Sequence, residues 1–181
     1  MYTQLRTVAV SAAACIGLCF VQPAVALPAS DGCSLPRDLR LEITAKYPGA
    51  RVVNLKDLLV DDRKFFQSDH GKACPGLIKL DFYGDGKPTL ALVLITKNGA
   101  KDNTQLVVTH EVEAKWRITP LDTGGPIAPV VWGQPPGKYT DVYGNKTVRA
   151  RQPVIVFCKY EAWAILYAWT GKGVSKIWIM D

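Results

Sequence analysis

Two aspartates in one short turn are the residues best placed to bind a cation. Asp81 and Asp85 lie in a glycine-containing segment that leads into an apolar run from Thr89. Calcium takes about six to eight oxygen ligands, mainly from carboxylates at alternate loop positions. Tyr83 and Thr89 replace two of those ligands, so Asp81 and Asp85 would form a sparse calcium site. The alternative is a hairpin turn in which the glycines supply the positive φ that the turn needs.

Aromatic side chains near the C-terminus form a second candidate binding feature. Trp163, Tyr167 and Trp169 alternate along one predicted strand and therefore share a face, and Trp178 follows on the next predicted strand. Exposed rings in this arrangement would make a stacking platform for a glycan. Aromatic side chains are, however, mostly core material, so burial of the same rings is the favoured alternative.

No recognisable catalytic motif supports an enzyme. The sequence contains no nucleophile elbow, phosphate-binding loop or metalloprotease helix. His110 alternates with Leu106 and Val108 on a predicted strand, a pattern that favours a partly buried ring over a general base. A hydrolase site near His110 would need an open cleft and a carboxylate or hydroxyl within hydrogen-bonding reach of the ring.

Residues 1–26 are typical of a secretory signal peptide. Arg6 is the only charged residue, residues 7–21 are almost entirely apolar, and Ala24-Val25-Ala26 has the small-x-small pattern of a cleavage site. The apolar run is shorter than the roughly 20 residues that span a membrane. We therefore expect cleavage near Leu27, a single α+β domain over residues 27–181, and a periplasmic or secreted location.

Three cysteines remain beyond the predicted signal peptide. Cys158 shares a strand face with apolar residues, so we expect a buried thiol that behaves as a small apolar group. Cys33 and Cys74 lie in polar, turn-rich segments, and we expect them to form a disulfide in an oxidising compartment. Zinc ligation with His70 and His110 is not supported, because the spacing lacks the close ligand pairs of structural zinc sites.

The formal net charge is +6, and the positive bias is strongest from Lys138 onward. A basic face there would suit an acidic partner such as anionic lipid or a cell-wall polymer. Solvated strand faces are the simpler interpretation, and charges spread this thinly do not favour nucleic-acid binding. The cations of this region are Lys138, Lys146, Arg149, Arg151, Lys159, Lys172 and Lys176.

A helix followed by strands must position these residues. Leu35, Leu39, Ile43 and Tyr47 recur at intervals of four before Pro48, which predicts an amphipathic helix. We expect an α+β fold, with this N-terminal helix packed on a mostly antiparallel β-sheet. The small residues that alternate with the aromatic ones in 163–169 are expected to let the helix approach. Predicted strands are 50–54, 77–82, 89–96, 105–112, 115–120, 154–160, 163–169 and 176–180, with a turn or short helix within 55–67. Residues 121–137 are expected to form a long loop, with a short edge strand at Val130-Val131-Trp132 as an alternative.

Two segments resemble known families. The segment from Asp81 to Val93 resembles the aspartate-rich turn of FG-GAP and VCBS-type extracellular repeats, whose loop often binds calcium. The segment from Ala164 to Asp181 resembles the endings of a family of exported bacterial proteins, in which a Tyr-x-Trp strand turns through Gly-Lys into a strand with a tryptophan. The second resemblance implies export but no particular chemistry.

The leading hypothesis is a non-enzymatic binding or interaction protein of the cell envelope. Its partner would be an unknown envelope protein or a glycan. A calcium- or glycan-binding module is the second hypothesis, and a hydrolase with a site near His110 is the third. We expect no cofactor apart from calcium under the second hypothesis, no nucleic-acid partner, and no stable membrane anchor after cleavage.

Overall fold

A computed structural model describes residues 32–98 and 101–180. Two helices precede a series of antiparallel strands, which confirms the predicted α+β class. The predicted signal peptide, residues 1–26, lies outside the described residues. Within the described ranges, none of the helices has the length and apolar character needed to cross a membrane.

In the described ranges the chain forms two α-helices, one short 3-10 turn and eleven strands. The helices are α1 (Arg37–Lys46) and α2 (Val60–His70), with a short 3-10 turn at Leu55–Asp57 between them. The strands are β1 (Arg51–Val52), β2 (Leu77–Leu80), β3 (Thr89–Asn98), β4 (Lys101–Val112), β5 (Lys115–Gly125), β6 (Val130–Gln134), β7 (Gly137–Thr140), β8 (Thr147–Ala150), β9 (Val154–Lys159), β10 (Trp163–Trp169) and β11 (Val174–Met180).

The central strand of a five-stranded sheet is β3. It pairs with β4 along its whole length, and β5 continues the sheet beyond β4. Along its other edge, β3 pairs first with β2 and then with β1. Leu92, Val93 and Leu94 are fully buried. The near-continuous apolar sequence of β3 thus belongs to a strand that is covered on both faces, as predicted.

The outer face of this sheet is covered by α1. Leu39 and Ile43, the buried positions of the predicted amphipathic helix, form one apolar cluster with Leu92, Leu94 and Val107. The expectation that this helix approaches the small residues of β10 is therefore wrong. The leucine-rich face of β3 offers more apolar surface to bury, and burial of apolar surface is the main favourable term in packing.

The remaining long strands form a second, four-stranded antiparallel sheet in the order β11-β10-β9-β6. Its two central strands, β9 and β10, are almost entirely buried. The larger apolar cluster joins Val93 and Leu106 of the first sheet to Phe157 and Ile165 of the second, and it also includes Phe66 of α2. The predicted strands therefore divide between two sheets that share a core.

A separate hairpin, β7–β8, lies beside the second sheet and was not predicted. Val148 and Ala150 of β8 point inward and are buried, while the alternate residues Thr147 and Arg149 are exposed. At the hairpin tip, the Val142 N–H donates to the Trp178 carbonyl of edge strand β11 at 2.8 Å. The hairpin thus holds the outward side chains of β7 and β8 over the edge of the second sheet.

A disulfide links Cys33, before α1, to Cys74, before β2, which confirms the predicted pairing. Closing a loop with a sequence separation of 41 residues stabilises the fold mainly by restricting the unfolded chain. Cys158 is free and buried, and burial raises the pKa of its thiol to about 12. A structural disulfide is typical of an oxidising, extracytoplasmic compartment.

Candidate functional site

The turn that was predicted as a calcium site is held together by its own aspartates. One oxygen of the Asp81 carboxylate accepts the Gly84 N–H at 2.8 Å, and the other accepts the Gly86 N–H at 3.1 Å. Asp85 accepts the Lys87 N–H at 3.1 Å. The carboxylates therefore satisfy backbone donors of the turn. Across the part of the chain that the structure describes, no group of three His, Cys, Asp or Glu side chains could hold a metal ion.

His110 lies at the centre of a second group of interacting side chains, which it forms with Asp85, Thr89 and Tyr83. Its Nε2 lies 3.0 Å from Asp85 Oδ2, its Nδ1 lies 3.4 Å from Thr89 Oγ1, and its ring lies 4.7 Å from the Tyr83 ring. Desolvation opposes the charge on Asp85, but the Lys87 N–H and His110 hold the pKa of Asp85 below its usual 3.8.

Asp85, His110 and Thr89 are connected in the same order as the acid, base and nucleophile of a hydrolase triad, but a substrate cannot reach the hydroxyl. Thr89 is fully buried, so its hydroxyl cannot meet an external substrate. The His110 side chain is 12% exposed, and the Tyr83 ring packs against it. A nucleophile must reach the atom that it attacks. In the described structure His110 therefore packs on Tyr83 and bonds to Asp85, and the hydroxyl of its third neighbour, Thr89, is inaccessible.

Tyr83 and Trp169 connect this group to an open cleft of about 440 Å³. Their rings meet edge to face with centroids 5.1 Å apart, and both are partly buried. Burial raises the pKa of Tyr83, so its hydroxyl is neutral at ordinary pH. The cleft is lined by Tyr83, Arg149, Arg151, Gln152, Trp169, Thr170 and Gly171.

A close contact joins the lining of the cleft, at Gln152, to Gly84 of the Asp81 turn. The Gln152 side chain lies over Gly84, where an added Cβ would come 2.2 Å from the Gln152 amide nitrogen. Gly84 also has φ +73°, a conformation that glycine adopts without strain. The Asp81 turn and the cleft are therefore in direct contact, and the positive φ favours glycine at their junction.

The basic side of the cleft consists of two exposed arginines without acidic partners. The guanidinium groups of Arg149 and Arg151 make no ion pair or hydrogen bond with any described residue. Arg149 lies directly opposite Lys138 in the β7–β8 ladder. Like charges at directly opposed positions destabilise a strand pair, so this placement costs the free protein some stability.

Three other cations of the predicted basic region have partners within the fold, whereas Lys172 is exposed and forms none of the described ion pairs. Lys159 Nζ lies 2.7 Å from the Asp62 carboxylate, and both side chains are largely buried. Lys176 forms an ion pair with Asp122, and Lys146 Nζ donates to the Lys176 carbonyl at 2.8 Å. The region is therefore not one uniform basic face. Its exposed cations that form no ion pair or side-chain hydrogen bond with a described residue are Lys138, Arg149, Arg151 and Lys172.

The four predicted stacking residues are distributed over different environments. Tyr167 is 2% exposed and donates its hydroxyl proton to Asp122, while Trp163 packs on Phe157 with ring centroids 5.0 Å apart. Trp178 is 39% exposed on the edge strand. Trp169 lines the cleft. The four residues thus do not form a continuous platform.

Sequence reasoning missed Tyr83 and Gln152 as parts of a site. The sequence indicates Tyr83 only as a replaced calcium ligand, and its contact with Trp169 joins the turn between β2 and β3 to the end of β10. Arg149 was placed in the basic region but not on a hairpin. A usable signal was the turn Tyr143-Gly144-Asn145, since Gly and Asn are typical of hairpin turns.

Comparison with protein-family models, curated proteins and solved structures gives no match for this chain. The resemblances of the Asp81 turn and of the C-terminal hairpin therefore stay hypotheses. Function must be inferred from the cleft itself.

Proposed function

We propose that this protein is an exported, non-enzymatic binding protein of the cell envelope that holds an acidic glycan in the cleft. The observation that carries the proposal is the pair of exposed, unpartnered guanidinium groups of Arg149 and Arg151 beside the ring of Trp169. Export is supported by the predicted signal peptide and by the Cys33–Cys74 disulfide.

An anionic ligand would offset the charge of the cleft wall. The planar guanidinium group offers several donors in a fork that matches carboxylate and phosphate oxygens. Lys138, opposite Arg149, adds a third positive charge nearby. A negatively charged ligand relieves the repulsion between these cations, so the free energy lost in the unliganded protein is recovered on binding.

A ring-bearing ligand suits the aromatic side of the same cleft. Trp169 and Tyr83 present apolar ring surface next to the arginines, and Gln152 adds an amide that can donate and accept hydrogen bonds. A pyranose ring has apolar C–H faces and polar hydroxyl edges. A sugar that carries an acidic group therefore matches both sides of the cleft, and a concave site favours such a ligand over the flatter surface of a folded envelope protein.

The lining of the described cleft supports binding rather than catalysis. It contains neither a paired set of carboxylates nor a histidine, which are the usual acid and base groups of glycoside and ester hydrolysis. The Thr170 hydroxyl donates to the Gly173 carbonyl at 2.8 Å and serves the turn between β10 and β11. Non-enzymatic binding is the function that these residues support best.

Titration of the purified protein with a hexamer of galacturonic acid, followed by calorimetry, tests the proposal. We expect Arg149→Ala with Arg151→Ala to weaken binding by at least about tenfold, or about 1.4 kcal/mol. Arg37→Ala with Lys115→Ala removes two exposed cations outside the cleft and should leave affinity unchanged.

The aromatic side is tested by Trp169→Ala against Trp178→Ala. Trp169 lines the cleft and Trp178 is an exposed tryptophan outside it, so only the first substitution should weaken binding. Both variants are first checked for an unfolding midpoint above the assay temperature. Equal affinity for the wild-type protein and the double arginine variant would contradict the proposal.

A further inference from the structure

A second groove adjoins the cleft on the β7–β8 hairpin. It is a shallow, open groove of about 570 Å³, lined by Pro136, Gly137, Lys138, Arg149, Ala150 and Arg151. Arg149 and Arg151 line both depressions, so they stand at the boundary where the two meet. The exposed surface therefore continues from Trp169 and Thr170 across the arginines to Lys138 and Pro136.

From this continuity we infer that the ligand is a linear chain of acidic sugar units that lies along both depressions, rather than a single sugar or a chain end. This inference rests on the proposed function and specifies its ligand class. Arg149 and Arg151 line both depressions and Lys138 lines the groove, so a chain with an anionic group on successive units would meet a positive charge at several points. A monomer would leave Lys138 without a counter-charge.

The two ends of the surface have different chemistry. The cleft end has the rings of Tyr83 and Trp169 and the amide of Gln152. Besides the shared arginines, the groove end offers the charge of Lys138 and the small residue Gly137, and it has no aromatic ring in its lining. Lys138 lines the groove and not the cleft, so a chain that extends from the cleft into the groove gains its charge.

The groove end is held in shape before any ligand binds. The Tyr139 hydroxyl donates to the Pro135 carbonyl at 2.5 Å, and Pro136 follows with a restricted φ. A surface that is already ordered loses little conformational entropy on binding, so extension of the ligand into the groove adds to affinity.

A length series of galacturonic acid oligomers, from monomer to octamer, tests the inference by calorimetry on the intact protein. We expect affinity to rise at least tenfold between the dimer and the hexamer and then to level off when the chain spans both depressions. Affinity that is the same from monomer to octamer would overturn the extended site and leave the proposed function intact. Failure of every oligomer to bind would overturn the proposed function as well.

The Lys138→Ala variant tests whether a longer ligand extends into the groove. It should lower affinity for the hexamer about threefold to tenfold and leave affinity for the dimer unchanged, whereas Arg151→Ala should weaken both. Lys115→Ala on β5 is the matched control. An equal effect of Lys138→Ala on both lengths would show that the charge acts at a distance and would overturn the groove assignment.

A comparison of ligand classes completes the test. Linear polyphosphate of matched charge lacks pyranose rings, and a neutral glucose oligomer lacks the charge, so we expect each to bind at least tenfold more weakly than the uronic acid hexamer. Equal binding of polyphosphate, or of a single-stranded oligonucleotide, would show that charge alone is recognised and would overturn the glycan assignment.

Discussion

The Asp81 turn and the arginine wall of the cleft are neighbouring polar regions with opposite character. In the turn, the Asp81 carboxylate accepts two backbone N–H groups, and Asp85 is paired with His110. On the wall, Arg149 and Arg151 have no acidic partner among the described residues. The two regions touch through Gln152 and Gly84. Polar groups that satisfy one another build structure, whereas charges left without partners remain available to a ligand.

Two lysines of the basic C-terminal region differ in the same way, one being paired and the other unpaired. Lys159 is paired with Asp62 inside the molecule, and Lys138 is exposed opposite another cation. Removing one member of a buried pair leaves an uncompensated charge, whereas removing an exposed, repelled charge does not. Stability measurements can therefore separate structural charges from ligand-binding charges.

The largest expected effect on stability is that of Lys159→Ala. The side chains of Lys159 and Asp62 are 13% and 8% exposed, so the substitution leaves a nearly buried carboxylate without its partner. We expect a loss of about 3 kcal/mol in the free energy of unfolding, measured by urea denaturation at pH 7. Lys138→Ala should change it by less than about 0.5 kcal/mol. Similar losses for the two variants would remove the distinction between the two kinds of lysine.

Asp81→Ala should have an intermediate effect. It removes the acceptor of the Gly84 and Gly86 N–H groups, and we expect a loss of about 1–2 kcal/mol in unfolding free energy. Asp61→Ala is the control, because Asp61 makes an exposed salt bridge to Lys64. We also expect the wild-type unfolding midpoint to be the same with calcium and with a chelator. A rise with calcium would instead assign the turn to metal binding.

Stability should fall on acidification because of Asp122. Burial opposes its charge, but hydrogen bonds from Lys176 and Tyr167 hold the pKa of Asp122 below its usual 3.8. As the pH falls, the unfolded chain takes up this proton first, which favours unfolding. The contribution of Asp122 is fully present above the unfolded pKa and is lost as the pH falls through the folded pKa. Urea denaturation between pH 6 and pH 3 should show a weaker pH dependence for Asp122→Asn, and an unchanged dependence would contradict this assignment.

The smallest expected effect on stability is that of Arg149→Ala with Arg151→Ala. The free energy of unfolding should stay within about 0.5 kcal/mol of the wild-type value or rise slightly, because the repulsion between Arg149 and Lys138 is removed. The same variant should lose most of its affinity for the uronic acid hexamer. A loss of more than about 2 kcal/mol in stability would mean that these side chains hold the fold together.

The helices and strands that form the core were largely predictable from the sequence, whereas the candidate site was not. Leu39 and Ile43 were predicted as the buried side of a helix, and the apolar sequence of β3 predicted a central strand. Both predictions depend on local periodicity. The face against which α1 packs was predicted wrongly, because the choice between the leucines of β3 and the alanines of β10 is a comparison of distant surfaces.

The β7–β8 hairpin shows why the candidate site escaped prediction. Its strands are four residues each, and only Val148 and Ala150 in β8 are buried, so the alternation is too short to stand out in the sequence. Residues 137–150 therefore carried no strand prediction. The position of Arg149 opposite Lys138, and its place in the same cleft as Trp169, depend on where this hairpin packs.

The α+β class, the disulfide partners, the burial of Cys158 and the excess positive charge were all predictable from the sequence, because these follow from periodicity, composition and a small number of cysteines. The neutralisation of particular charges depended on tertiary packing. The partners Lys159 and Asp62, or Lys176 and Asp122, are far apart in the chain. Electrostatic interaction depends on distance in space, and packing placed no carboxylate beside Arg149 and Arg151 among the described residues.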